Sequence, residues 1–212
     1  MKIGAGLSRW LLDQLDIVPS QAVREGSRFL SRNPLLELVL GEHQAEEIRA
    51  LLNRPPVDSR PVCTVLLPGI MGSLLASTRG ISGLLWLNPT VIANGEINML
   101  ELDERGTGDA SPKVEVVPVG IEKLTYLRLI LTLARETRLY EFPYDWRRHL
   151  EWNADLLHKA ILRWSSASPK WRFVLVAHSM GGLVARTYLA RHPREAEELV
   201  SRLADPQLLV SL

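Results

Sequence analysis

The sequence predicts an α/β fold in which helices flank a parallel sheet. Three short runs typical of strands lie at 62–67, 139–142 and 171–177. The first and last are continuously apolar and rich in β-branched residues, as expected of strands that are buried on both faces. Amphipathic stretches at about 122–138 and 150–166 separate these runs, and such alternation of strands and helices is typical of a parallel sheet.

Residues 1–60 are predicted to form a helical extension of this domain. Between residues 3 and 18, apolar side chains recur at steps of three and four, which places them on one helix face. This first helix either packs on the main body or contacts a membrane surface, and its few basic residues favour packing. A second helix is predicted from Asn33-Pro34 through about Leu52, before a proline-rich linker.

The composition excludes several classes of protein. Lys and Arg (25) nearly balance Asp and Glu (24), so we expect no nucleic-acid partner. A single cysteine, Cys63, excludes an internal disulfide framework and fits a reducing compartment. The histidines lack metal-ligand spacing, and we expect no metal and no cofactor. The sequence shows no signal peptide and no transmembrane run, so a cytoplasmic location is the expectation.

The main domain is predicted to span 61–212 and to carry one long insertion. Residues 80–118 are rich in Gly, Asn, Asp and Pro and show no clear periodicity. Connections of this length inside a compact domain usually serve as lids or binding loops. We therefore predict an irregular, lid-like insertion at about 80–118.

The strongest motif is AHSMGG at 177–182, between the last strand and the amphipathic helix that follows it. A nucleophile elbow places a serine on a sharp strand-to-helix turn and needs small residues two positions before and after it, here Ala177 and Gly181. Ser179 is therefore the candidate nucleophile. The alternative interpretation is an ordinary glycine-rich turn whose serine only caps the helix.

A second motif, PGIMGS at 68–73, directly follows the first buried strand. Acyl transfer requires two backbone donors aimed at the oxyanion. One is expected after the nucleophile, at Met180, and the other in a glycine-containing loop after an earlier strand, at Ile70, with Met71 beside it. The alternative is a plain turn that ends the strand.

The third motif, FPYDWRR at 142–148, closes the middle strand at the functional edge of the predicted sheet. Asp145 precedes the serine in the chain, so an ion pair with Arg147 that braces the lid is favoured over a catalytic role. Trp146 either lines an acyl-chain pocket or belongs to the core. His178 is interpreted as a packing or lid-contact residue.

PGIMGS, FPYDWR and AHSMGG, in this order, resemble lecithin:cholesterol acyltransferase and its relatives, the phospholipid:diacylglycerol acyltransferases and lysosomal phospholipases. The resemblance covers about 62–192 and implies an α/β-hydrolase fold with a Ser-Asp-His triad. It also implies an acyl-enzyme formed from a lipid ester donor, with transfer to a hydroxyl acceptor or to water. It assigns Ser179 as the nucleophile, the Ile70 and Met180 amides to the oxyanion hole, and 80–118 to the lid.

The other triad members are expected after the serine. The downstream sequence offers one histidine, His192, and one aspartate, Asp205. A continuing helix would carry His192 about 20 Å from the serine at ~1.5 Å per residue, beyond hydrogen-bond reach. We therefore expect a C-terminally incomplete domain, or one completed by another chain. The alternatives are an inactive relative that binds a lipid or a partner, and a general serine esterase.

Overall fold

A computed structural model describes residues 37, 40–53, 62–79, 83–167, 172–201 and 209–211. The chain divides into two compact units. One comprises the described residues of Met1–Pro61 together with Glu122–Leu139, and the other those of Val62–Ile121 and Tyr140–Leu212. In these parts of the chain, no helix has both the length and the apolar character needed to cross a membrane.

Strands and helices alternate through most of the described chain. In chain order they are α1 (Glu42–Asn53), β1 (Val62–Leu67), β2 (Ser73–Ser77), β3 (Gly83–Trp86), α2 (Pro89–Ala93), a 3-10 helix (Glu96–Leu100), β4 (Val116–Ile121), α3 (Lys123–Glu136), β5 (Arg138–Glu141), α4 (Leu150–Ala167), β6 (Arg172–Ala177), α5 (Met180–Arg191), α6 (Pro193–Ser201) and β7 (Leu209–Ser211). The predicted strands and helices of the main domain agree with β1, α3, β5, α4 and β6 to within two residues.

The first unit pairs α1 with α3. Apolar side chains of the two helices form its core: Ala45, Ile48, Leu127 and Leu131. The predicted helix from 33 to 52 is wrong in one respect, because the described helical residues are interrupted at Gly41. Its φ of +79° suits glycine, and its amide closes the preceding turn onto the Glu37 carbonyl at 2.9 Å. The helix predicted between 3 and 18 lies outside the described residues.

The main sheet has the strand order β5-β1-β6-β7, and β1, β6 and β7 lie in the second unit. β1 and β6 are parallel in register from Val62 opposite Arg172 to Leu67 opposite Ala177, and β7 is parallel to β6. Buried side chains of α4 and α5 pack with those of β1 and β6 to form the core. The chain is therefore a mixed α/β protein with a parallel sheet flanked by helices, and the carboxyl ends of β1 and β6 meet at one edge.

A second, antiparallel sheet with the order β3-β2-β4 was not predicted. The prediction of an irregular segment at 80–118 is wrong for much of its length, since β3, α2, the 3-10 helix and the start of β4 lie there. Asn88 caps α2 by accepting a hydrogen bond from the Thr90 amide at 2.9 Å. These elements are four to six residues long, which is too short for a periodicity to show in the sequence.

Candidate active site

Ser179 occupies the junction between β6 and α5, and its backbone is strained. Its φ of 50° and ψ of −120° lie in a region that residues other than glycine rarely adopt. The Gly181 amide donates to the His178 carbonyl and the Gly182 amide to the Ser179 carbonyl, both at 2.9 Å. Ser179 itself is exposed. This is the sharp strand-to-helix turn that the AHSMGG motif predicts.

Gly181 lets the first turn of α5 approach the end of β1. A Cβ atom at this position would lie 2.6 Å from the Pro68 carbonyl oxygen and 2.7 Å from that of Leu67. Both neighbours are backbone atoms and cannot rotate away. The glycine requirement that the motif implies therefore has a direct steric cause here.

The PGIMGS loop lies beside the elbow. A Cβ atom on Gly69 would be 2.9 Å from His178 Nδ1 and 3.3 Å from Ser179 Cβ. The Gly72 amide donates to the Gly69 carbonyl at 3.0 Å, and φ is positive at Met71 (62°) but not at Ile70, which is the pattern of a type II turn. The structure thus brings together two motifs that are more than 100 positions apart in the sequence.

The backbone amides of Ile70 and Met180 have no hydrogen-bond partner within the described chain. Met180 is the first residue of α5, where amides lack intrahelical acceptors. Ile70 is 56% exposed at the tip of its turn. An oxyanion site requires two such donors, and here one lies in the PGIMGS loop and the other directly follows Ser179.

Three aromatic side chains of the second unit hold the PGIMGS loop. Tyr144 Oη donates to the Pro68 carbonyl at 2.8 Å, and the Tyr144 backbone amide donates to Ser73 Oγ at 3.0 Å. The indole nitrogen of Trp146 donates to the Ser73 carbonyl at 3.1 Å, and that of Trp86 to the Met71 carbonyl at 2.9 Å. Trp146 also packs against the core. Its ring therefore links the PGIMGS loop to the core.

The predicted ion pair between Asp145 and Arg147 is present. Arg147 Nε and Nη2 donate to the two carboxylate oxygens at 2.9 and 2.7 Å. Arg147 also donates to Asp109 Oδ1 and to the Leu100 carbonyl, both within the predicted lid-like segment. Burial disfavours the charge on Arg147, but its bonds to Asp145 and Asp109 outweigh that effect and raise its pKa. Local sequence patterns gave no sign of Asp109, because 38 residues separate it from Arg147.

His192 lies at the opposite end of α5 from Ser179. Helix α5 continues to Arg191, as expected, and His192 Nε2 is 3.0 Å from Asp155 Oδ1. Arg191 makes two hydrogen bonds to the same carboxylate, and the His158 ring stacks on His192 with centroids 3.8 Å apart. His192 therefore interacts with Asp155 and His158, and it does not contact Ser179.

No other side chain in the described regions is hydrogen-bonded to the Ser179 hydroxyl. The side chain of the adjacent His178 lies against Gly69, and its amide donates to the Leu67 carbonyl at 3.0 Å. Asp205 lies outside the described residues. The same regions contain no cluster of three metal-ligating side chains. The described site thus consists of a serine, backbone donors and the residues that brace them.

A search of curated proteins finds no match to this chain. A protein-family model described as lecithin:cholesterol acyltransferase matches residues 131–204. The matched region includes the FPYDWRR and AHSMGG motifs and the helices that flank them, and the PGIMGS loop lies before it. This match supports assignment of the chain to the lecithin:cholesterol acyltransferase family.

Proposed function

We propose that this chain is the serine-bearing part of an O-acyltransferase or lipase with an α/β-hydrolase-type site that acts on lipid esters. The family match indicates lipid acyltransferase or lipase activity in general. The observation that carries the finer proposal is the conformation of Ser179, which is strained, exposed and placed beside the PGIMGS loop. Strain of this kind in an exposed serine is characteristic of a nucleophile elbow.

In the proposed reaction, Ser179 Oγ attacks the acyl carbonyl carbon of the lipid ester and loses its proton to a general base. The Ile70 and Met180 amides donate to the oxyanion of the tetrahedral intermediate. The C–O bond to the alcohol then breaks, and the alcohol takes up the proton as the acyl-enzyme forms. A hydroxyl acceptor or water attacks the acyl-enzyme in the reverse sense and releases the product ester or acid.

The base and its orienting acid are proposed to come from outside the described residues, in a further segment or a complementing chain. His192 does not fit this role, because it is bonded to Asp155 at the far end of α5. Without a base, a serine hydroxyl is a weak nucleophile, and loss of triad members lowers rates by orders of magnitude.

A fluorophosphonate probe tests the nucleophile, and a panel of esters with increasing acyl length tests the substrate class. With the segment or chain that supplies the base present, we expect labelling of Ser179, none in Ser179→Ala, and turnover that rises with acyl length when lipid esters are supplied with an acceptor alcohol. Absence of labelling under these conditions would contradict catalysis. Labelling with a preference for short soluble esters would contradict the lipid assignment and indicate a general serine esterase.

The second candidate is a non-catalytic relative that binds lipid esters. The observation that favours it is the absence of a hydrogen-bonded base at the Ser179 hydroxyl within the described chain. Binding of a long-chain ester analogue to an unlabelled protein would support this candidate. Binding without labelling would also distinguish this candidate from the catalytic proposal, which requires labelling of Ser179.

A further inference from the structure

We infer that Trp86 is a positioning residue that holds the type II turn of the PGIMGS loop in the conformation that presents the Ile70 amide. The inference rests on the proposed function, because it assigns a role within the same oxyanion site. It adds a determinant that no sequence motif contains and that lies inside the predicted lid-like segment.

The turn from Gly69 to Gly72 has an unfavourable residue at its third position. Type II turns need a positive φ there and usually use glycine, but this chain has Met71 with a φ of 62°. The side chain offers little compensation, since it is 48% exposed. The bond that closes the turn, from the Gly72 amide to the Gly69 carbonyl, is 3.0 Å long. Such a turn needs an external contact to keep its form.

Trp86 supplies that contact at the centre of the turn. Its indole N–H donates to the Met71 carbonyl at 2.9 Å, so it fixes the peptide that follows the strained residue. The bonds from Tyr144 and Trp146 reach Pro68 and Ser73, which flank the turn. The bond from Trp86 reaches the turn itself, at the carbonyl of its third residue.

Trp86 belongs to the antiparallel sheet, whereas Ser179 follows β6 of the main sheet. Trp86 ends β3, pairs with Leu75 of β2 and packs edge-to-face on Trp146 with centroids 5.6 Å apart. A displacement of β3 would withdraw the N–H from the Met71 carbonyl. The conformation of the oxyanion turn is thereby coupled to the position of the 80–118 segment.

The experiment compares Trp86→Phe with Trp152→Phe in the full chain. Phenylalanine at 86 keeps a ring in place and removes only the N–H donor. Trp152 is 53% exposed and contacts none of the loop residues named above, which makes it a matched control. A third variant combines Trp86→Phe with Met71→Gly, because glycine adopts a positive φ without strain and should not need the tether.

Hydrogen exchange of the Gly72 amide is the first measurement. We expect about fivefold faster exchange in Trp86→Phe, the change that loss of one hydrogen bond of ordinary net strength produces. We expect no change in Trp152→Phe and recovery in the double variant. The second measurement is fluorophosphonate labelling, in which the maximal rate should fall in Trp86→Phe while the half-saturating probe concentration stays constant.

Equal Gly72 exchange in the two single variants would overturn the inference, as would a fall in protection spread over the whole chain instead of the turn. The exchange measurement does not depend on catalysis. An unlabelled wild-type protein would therefore contradict the proposed function while the exchange still decides the role of Trp86. Labelling of the wild type with unchanged Gly72 exchange in Trp86→Phe would contradict this inference alone.

Discussion

Arg147 and Asp109 form a buried ion pair across 38 residues of chain, with Nη2 and Oδ1 2.8 Å apart and side chains only 4% and 9% exposed. The other oxygen of Asp109 accepts from the Val116 amide at 2.9 Å. One aspartate thus connects the end of the 80–118 segment both to the FPYDWRR turn and to β4. The pair is part of a small buried network that also contains Asp145.

Replacement of Arg147 by alanine should therefore be strongly destabilising. It would leave two buried carboxylates without their shared cation, and removing one partner of a buried pair costs about 3 kcal/mol or more. Urea unfolding measures the loss of free energy. The matched control is Arg191→Ala, which removes an exposed, similarly bidentate partner of Asp155 and should have little effect. Equal effects of the two changes would show that burial of the Arg147 network contributes nothing.

Gly181 and Gly69 should differ in their tolerance of alanine. At Gly181 the new methyl group would meet two backbone oxygens, and we expect a net cost of about 2 kcal/mol after the helix preference of alanine is counted. At Gly69 its nearest neighbour is the imidazole of His178, which can rotate, so a smaller loss is expected. Thermal unfolding of both variants checks the order. A Gly181→Ala protein as stable as the wild type would contradict the steric argument.

Replacement of Ser179 by glycine should stabilise the protein. Its φ of 50° is strained for serine and ordinary for glycine, so relief of about 1 kcal/mol is expected. Ser179→Ala removes the same hydroxyl but keeps the strain, and serves as the control. Denaturant midpoints should rank glycine above alanine, and both variants should resist the fluorophosphonate probe. Equal midpoints for the two variants would mean that the elbow stores no strain.

Tyr188 and Tyr144 should respond in opposite directions to phenylalanine. Both side chains are fully buried, but the Tyr188 hydroxyl has no partner within the described chain whereas that of Tyr144 bonds to Pro68. We expect Tyr188→Phe to stabilise and Tyr144→Phe to destabilise by about 1 kcal/mol each. Free energies of unfolding at neutral pH measure both. A loss of stability in Tyr188→Phe would show that its hydroxyl makes a favourable contact.

The stability contributed by Tyr188 should also depend on alkaline pH. Burial, with a smaller effect from Glu195, raises its pKa to about 12. The unfolded chain releases this proton near pH 10, so the native state loses stability as the pH rises from about 10 to about 12. The difference in unfolding free energy between Tyr188→Phe and the wild type should widen across that interval. A constant difference would contradict the assigned shift.

The sequence predicted β1, β6 and α4 well, because the two strands are largely apolar runs and α4 has a long amphipathic pattern. It did not predict β4, whose sequence includes Pro118 and Gly120 and so argues against a strand. Proline is tolerated there because β4 is an edge strand of its sheet and the pairing with β2 is irregular near that point.

The elbow and the PGIMGS loop were predicted as separate motifs, since each depends on residues that are adjacent in sequence. In the structure the two motifs lie side by side, with Gly69 next to His178 and Ser179. The bonds of Trp86 to Met71 and of Arg147 to Asp109 were not predicted. Each bond joins groups that come together only through tertiary packing. A local sequence pattern therefore could not predict either bond.

The bond between Trp86 and Met71 has a practical consequence for attempts to alter what this protein accepts. Trp86 at one end and Asp109 at the other are attached to the site by defined hydrogen bonds, whereas most of the chain between them is exposed. The exposed positions within 87–108 can therefore be varied in loop-grafting experiments, while the buried Val91 and the Leu100 carbonyl that bonds to Arg147 are kept. Grafts that retain both boundary residues preserve the attachment points, and libraries that randomise them would mix effects on specificity with loss of the turn.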